Sequence, residues 1–152
     1  MQDYQLPPIE NVWAKPEEAP PMFQGVARRM FEADAFILVT PEYNGSYSAS
    51  LKNFLDHFPK QDRKVFGIVS ASPGNLGGIR AALQLQNLIF NISGISSPRM
   101  LIVPRMEKIF DKSGKLLDQD FENQISLFHD DFSWLSALLH YAKVVRLEKK
   151  AA

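Results

Sequence analysis

The sequence predicts an α/β fold in which helices cover a parallel sheet. Three apolar runs, at residues 35–39, 64–70 and 99–103, have the length and composition of buried strands. Segments with the 3-and-4 spacing of amphipathic helices lie before, between and after them. This alternation is typical of a parallel sheet with helices on its faces and right-handed crossovers.

Composition bounds the kind of protein and excludes several kinds of site. The 152 residues suit one domain, and the absence of cysteine excludes disulfides, thiolate catalysis and cysteine-ligated metals. Lys and Arg together number 17, as do Asp and Glu, so no basic excess points to a nucleic-acid partner. The longest apolar runs are too short to span a bilayer, and no signal peptide is visible. We therefore expect a cytoplasmic protein without a membrane partner.

The predicted organisation has three parts. Residues 1–21 form an irregular arm, because five prolines interrupt any regular helix or central strand. The arm also carries apolar residues that we expect to lie against the fold or a partner, namely Leu6, Ile9, Val12 and Trp13. Residues 22–145 form the α/β domain, and residues 146–152 form a polar tail.

Helices are predicted from apolar spacing and from their stop signals. The first follows Pro21 and ends near Asp34, with an apolar stripe at Phe23, Val26, Ala27, Met30 and Phe31. The second spans 49–56, and the third spans 79–92 and stops at Gly94. The last spans 118–143 and has the cleanest stripe in the chain: Phe121, Ile125, Phe128, Phe132, Leu135 and Leu139.

Two loops follow predicted strands and hold residue types that stability alone does not require. The first contains Pro41, Glu42, Tyr43, Asn44 and Gly45, and the second contains Ser72, Pro73, Gly74, Gly77 and Gly78. Both loops are expected at the carboxyl edge of the sheet, where parallel α/β proteins bind ligands. Taken singly, Asn44-Gly45 also fits an ordinary turn, and the glycine run matches neither the dinucleotide pattern nor the P-loop.

At their joint spacing, four segments resemble the NADPH-dependent FMN reductase family: residues 40–44, residues 51–53 with Asp56, residues 72–74 and residues 77–80. Residues 110–118 also resemble the stretch that precedes this family's last helix, and the likeness runs from about residue 1 to residue 139. The resemblance implies a flavodoxin-like three-layer sandwich that assembles as a homodimer or homotetramer. It also implies FMN as cofactor, NADPH or NADH as hydride donor, and a quinone, flavin or similar small molecule as electron acceptor.

The resemblance assigns the ten residues of the two loops to cofactor binding, and the chemistry of a flavin ring fits them. The ring needs backbone donors along its polar edge, which the amides of residues 42–45 and 74–78 can supply. The helix that begins near Ile79 would aim its positive end at the ring. Hydride moves directly between nicotinamide and flavin, so no catalytic side chain and no metal are predicted. Arg80 is interpreted as a surface or ion-pair residue, and His57 as non-catalytic.

The chain departs from the family at its start. Members begin with a strand, a Gly-Ser-x-Arg-x-x-Ser loop that holds the FMN phosphate, a helix and a second strand, whereas this sequence begins at the segment that follows. We therefore expect a sheet of the last three strands, with residues 35–39 on an open edge. Two functions stay open: an FMN reductase-like oxidoreductase, or a non-catalytic flavodoxin-like oligomerisation or interaction module that has lost tight FMN binding.

Overall fold

Helices and strands alternate as the sequence predicts. The computed structural model describes residues 6–151, with side chains as far as Arg146, so residues 1–5 of the predicted arm and Ala152 lie outside the described residues. The helices are α1 (Gln24–Glu32), α2 (Ala49–Asp56), α3 (Ile79–Asn91), α4 (Met106–Ile109) and α5 (Gln119–Ala151). The strands are β1 (Ala35–Pro41), β2 (Val65–Ala71), β3 (Ile95–Ser96) and β4 (Leu101–Val103). Single 3₁₀ turns lie at Pro16–Glu18 and Pro21–Phe23.

The sheet is parallel, and β2 is its central strand. β1 pairs with one side of β2 over seven residues, while β3 and β4 share the other side. The strand predicted at residues 99–103 is present as β4, two residues shorter, whereas the short strand β3 was not predicted. Val65 of β2 pairs with Ile95 of β3, and Val69 of β2 pairs with Leu101 of β4. The segment that runs from β3 to β4 is therefore two residues longer than the stretch of β2 that it pairs with. Pro98 lies in this excess and has no N–H to donate to the ladder.

Helices cover both faces of the sheet, which makes the flavodoxin-like three-layer sandwich. On one face, α1, α2 and α3 enclose the main core with the strand residues Leu38, Phe66 and Ile68. On the other face, α5 lies directly over β2. A Cβ placed on Gly67 would meet Phe128 Cζ at 2.9 Å, so a glycine here allows the helix to approach closely.

Helix α5 is longer than predicted and carries a second apolar stripe. It continues to Ala151 rather than ending at residue 143. The predicted stripe is buried or half-buried against the sheet, but Leu127, Trp134, Leu138 and Tyr141 form a neighbouring stripe that is exposed. Despite its 33 residues, neither α5 nor any other helix in the described part of the chain is long and apolar enough to cross a membrane.

The N-terminal arm lies against α2, as its apolar residues predict. Trp13 is 6% exposed and stacks on His57 with ring centroids 4.4 Å apart. The Trp13 backbone N–H donates to the carbonyl of His57 at 2.8 Å. Asn53 Nδ2 donates to the Pro7 carbonyl at 2.8 Å, and its Oδ1 accepts from the N–H of Ile9 at 3.0 Å. His57 is therefore a structural contact of the arm.

Asp34 joins the start of β1 to the C-terminal half of α5. His140 Nδ1 lies 2.8 Å from its carboxylate, and Lys143 Nζ donates to the other oxygen. The hydrogen bond from Lys143, followed by that from His140, lowers the pKa of the Asp34 carboxyl. A lowered folded-state pKa gives stability that is present above the unfolded pKa and is lost as pH falls through the folded value.

We expect Asp34→Asn to lower the free energy of unfolding at neutral pH by about 0.5–1 kcal/mol, since its partners are largely exposed. The difference from the parent should begin to shrink below about pH 4, the usual pKa of an unfolded Asp, and should disappear once the carboxyl is protonated in the folded parent as well. Urea unfolding at several pH values measures both effects. Asp62→Asn is the matched control, because Asp62 is exposed and makes no ion pair among the described residues. Equal losses at pH 3 and pH 7 would contradict this account.

Candidate functional site

The loop after β1 is a tight hairpin turn. Tyr43 and Ser46 exchange backbone hydrogen bonds of 2.9 and 3.0 Å, and the two central residues, Asn44 and Gly45, have φ of 50° and 81°. Two positive φ angles define the type I′ turn that Asn-Gly favours. The turn leaves the Tyr43 ring exposed above the edge of the sheet.

Two hydroxyl groups, one of them buried, fix this loop between β1 and α2. Thr40 is 1% exposed, and its Oγ1 donates to the Pro41 carbonyl at 2.8 Å and accepts from the Ser48 N–H at 3.1 Å. Ser48 in turn caps α2, because its side chain accepts from the Leu51 N–H at 3.3 Å. The loop therefore has one set position relative to the strand and the helix.

The loop after β2 is fixed in the same way. Ser70 is fully buried, and its Oγ donates to the Gly77 carbonyl at 2.9 Å. Ser72 Oγ accepts from the Gly74 N–H at 3.1 Å, while the Gly74 carbonyl accepts from the Arg105 N–H at 3.0 Å. This second loop is thereby tied both to β2 and to the loop after β4.

Gly77 and Gly78 allow the second loop to pass close to its neighbours. Their φ angles are 60° and 82°, which side-chain-bearing residues rarely adopt. A Cβ on Gly77 would lie 2.7 Å from both Ile102 Cγ2 and the Pro104 nitrogen. Because Gly78 occupies the N-cap of α3, no side chain caps that helix, and of its first amides the Ile79 N–H donates to the Leu76 carbonyl at 3.1 Å. The positive end of α3 therefore faces the loop edge.

The two loops meet through an ion pair. Arg80, in the first turn of α3, donates from Nε to Glu42 Oε1 at 2.9 Å, and its Nη2 lies 2.5 Å from the same oxygen. A Cβ on Gly78 would lie 3.5 Å from Glu42 Cβ, an ordinary contact distance, so the second loop passes directly beside Glu42. The interpretation of Arg80 as an ion-pair residue is confirmed. The ten predicted site residues are thus brought to one edge of the sheet.

The chemistry of this edge fits an isoalloxazine ring. Among the described residues, the backbone amides of Asn44 and Gly45 have no protein acceptor, whereas the Glu42 amide continues the parallel ladder that pairs Pro41 with Ala71. These donors lie beside the uncapped start of α3, and together they match the polar edge of a flavin. Pro41 and Pro73 have no backbone N–H, so they cannot donate a hydrogen bond to the ring. That the ten residues bind a cofactor stays a prediction.

Other polar clusters lie elsewhere. His57 is buried under Trp13, and a cavity of about 450 Å³ opens at the opposite end of the sheet between Lys64 and the C-terminal half of α5. Residues 6–151 contain no group of His, Asp and Glu arranged to hold a metal ion. Sequence reasoning missed the anchoring hydroxyls of Thr40 and Ser70. Their signal was available, because each is a polar residue at the carboxyl end of an apolar strand.

Comparison with known proteins agrees with the geometry. The sequence model of the family described as NADPH-dependent FMN reductase matches residues 1–115. An FMN-dependent NADPH-azoreductase of Staphylococcus saprophyticus is 35% identical over 106 residues, which are 65% of this chain and 54% of that protein. An NAD(P)H-dependent FMN reductase of Pseudomonas aeruginosa is 33% identical over 106 residues, which cover 65% of this chain and 57% of that protein. A probable NADPH:quinone oxidoreductase of rice is 31% identical over 113 residues, which cover 70% of this chain and 55% of that protein.

A solved structure shares the fold. The flavoenzyme NAD(P)H:(acceptor) oxidoreductase FerB from Paracoccus denitrificans superposes with a TM-score of 0.72 and 22% identity, covering 88% of this chain and 76% of that one. The chain spans about half the length of the curated relatives it matches. The family match covers most of the chain and includes both loops, and we conclude that the chain belongs to the NADPH-dependent FMN reductase family.

Proposed function

We propose that the protein is an NAD(P)H-dependent FMN reductase-like flavoprotein of the cytoplasm. In this proposal hydride passes from NADPH or NADH through FMN to a quinone, a flavin or a similar small acceptor. The observation that carries it is the pair of anchored loops: the amides of Asn44 and Gly45 have no acceptor among the described residues, and they lie beside the start of α3, which no side chain caps. The relatives, which are named azoreductase, FMN reductase and quinone oxidoreductase, support the reaction class.

The chain's own residues would bind and orient the cofactor. The free amides of the first loop would donate to one part of the ring's polar edge. Amides of the Gly74–Gly78 loop other than those of Gly74 and Gly77, which are bonded within the loop, would donate to another part. The positive end of α3 would stabilise negative charge that develops beside it. Tyr43 is exposed at the turn and can pack on the ring or its side chain. Bound FMN would supply the hydride chemistry.

Titration of the purified chain with FMN tests this proposal. We expect saturable quenching of flavin fluorescence, followed by NADPH oxidation when a quinone is added. Lumiflavin, which has the ring but no phosphate, should compete for the same site. Absence of saturable FMN and lumiflavin binding would contradict the proposal for this chain. Binding without NADPH oxidation would favour the alternative of a non-catalytic flavodoxin-like module.

We also propose that the protein forms a homodimer or homotetramer through exposed apolar surface. Ile37 and Val39, on the outer strand β1, are 47% and 63% exposed. The stripe of α5 that contains Trp134 and Leu138 repeats at the 3-and-4 spacing used for helix pairing. The sequence has no net charge, so two copies do not repel each other strongly. This surface is also the observation that favours an interaction module.

Light scattering of the purified chain measures the assembly. We expect a dimer or tetramer. Its dissociation constant should rise by at least about tenfold in Trp134→Glu, because the new charge would be buried at the interface. His129→Glu is the matched control, since the exposed His129 side chain lies five residues from Trp134, about 140° around the same helix and away from the stripe. A monomeric parent at micromolar concentration would contradict this proposal.

A further inference from the structure

The ion pair between Glu42 and Arg80 spans the two loops that form the candidate flavin site. Glu42 follows β1, and Arg80 lies in the first turn of α3 after the second loop. The residues are 38 positions apart in sequence, so their contact fixes how far apart the two loops lie. A flat ring bound between these loops would be sensitive to that spacing.

The pair is asymmetric in both burial and bonding. The Glu42 side chain is 11% exposed, whereas that of Arg80 is 65% exposed. Both donor nitrogens of Arg80 approach the same oxygen, Oε1, and the second oxygen, Oε2, is buried without a hydrogen-bond partner. The negative charge is thus held inside the loop edge, and the positive charge lies on its surface.

We propose that Glu42 and Arg80 are positioning residues that clamp the two loops together, and that their opposed charges set the reduction potential of the bound flavin. This inference rests on the proposed function. Glu42 would oppose negative charge on a reduced flavin, while Arg80 would offset that opposition. Because Oε2 has no hydrogen-bond partner, Arg80 does not fully neutralise the Glu42 charge. Removing either charge should therefore change the reduction potential of the flavin.

The clamp and the charge effect predict different patterns in the same variants. Glu42→Gln and Arg80→Gln both remove the ion pair, so a purely structural clamp moves every property in the same direction in both. The charge effect reverses sign: Glu42→Gln leaves a positive charge and favours reduced flavin, whereas Arg80→Gln leaves a negative charge and disfavours it. The double variant should return toward the parent.

The clamp is measured first in the protein without flavin. Thermal unfolding of the parent, both single variants and the double variant gives a double-mutant cycle. We expect each single variant to melt at a lower temperature, and the double variant to lose less than the sum of the two. Additive losses would overturn the clamp. Arg99→Gln is the control, because Arg99 pairs with Asp131 away from the loops.

The charge effect is measured as the midpoint potential of bound FMN. We expect Glu42→Gln to raise it and Arg80→Gln to lower it by roughly 30 mV each, the shift produced by a tenfold change in a two-electron equilibrium. Arg99→Gln should leave it unchanged. FMN binding with potentials that move in the same direction in both variants would overturn this inference and leave the proposed function intact. A third outcome is that the parent fails to bind FMN while the double-mutant cycle still shows coupling between Glu42 and Arg80. That result would overturn both the proposed function and the role of the pair in setting the reduction potential.

Discussion

Gly77→Ala is expected to weaken FMN binding by at least about tenfold and to lower the free energy of unfolding by about 2–4 kcal/mol. The φ of 60° at Gly77 costs a residue with a side chain about 1–2 kcal/mol. The added Cβ would also lie 2.7 Å from Ile102 Cγ2 and from the backbone nitrogen of Pro104. Because the backbone cannot easily move aside, the loop must shift. Fluorescence titration and urea unfolding measure the two losses.

Gly74→Ala is the matched control within the same loop. A Cβ on Gly74 would meet nothing closer than Ser72 Oγ at 3.4 Å, and Gly74 does not have a positive φ. We expect its stability to stay within about 0.5 kcal/mol of the parent, as for most surface substitutions. If Gly74→Ala and Gly77→Ala lost similar unfolding free energy, the positive φ and close backbone contact of Gly77 would not be the cause of the loss.

Trp13→Ala is expected to lower the free energy of unfolding by about 3–5 kcal/mol, the usual cost of removing a buried large aromatic side chain. The ring stacks on His57 and also contacts Phe23 and Phe58. Its loss would open a cavity where the arm meets α2 and expose His57. The melting temperature should fall by roughly 10 °C for a chain of this size.

Val12→Ala separates this effect from a general weakening of the arm. Val12 is adjacent to Trp13 in sequence but half-exposed, so its truncation should cost little. Hydrogen exchange should show a lower protection factor for the backbone amide of residue 13 in Trp13→Ala than in the parent, since that amide donates to the His57 carbonyl. An unchanged melting temperature in Trp13→Ala would mean that the arm does not contribute to the core.

Periodicity was enough to predict most of the fold. The two long strands appear within a residue or two of their predicted places, because continuous apolar runs leave little choice of register in a sheet covered on both faces. Helix α2 has the predicted bounds, and α3 ends one residue early, before Gly94. The two loops were predictable as neighbours, since the carboxyl ends of parallel strands share one edge.

The differences have local physical causes. The short strand β3 was not predicted, because its two residues are separated from β4 by Pro98 and by two extra residues in the ladder, which an apolar count does not reveal. Helix α5 passes residue 143 because no Gly or Pro follows to stop it, although the predicted stripe ends at Leu139. The partnership of Glu42 with Arg80 depends on where the two loops meet in space. No spacing rule gives that contact.

The most direct test of the account is to map flavin contacts on the backbone. Lumiflavin titrated into ¹⁵N-labelled protein should shift the amide signals of Glu42, Asn44 and Gly45, together with those of Gly74–Gly78, along one saturation curve. The ring needs only these two loops, so binding should not require a phosphate. Shifts confined to the cavity between Lys64 and α5, or no saturable shifts at all, would contradict the claim that the two loops form the ring-binding site.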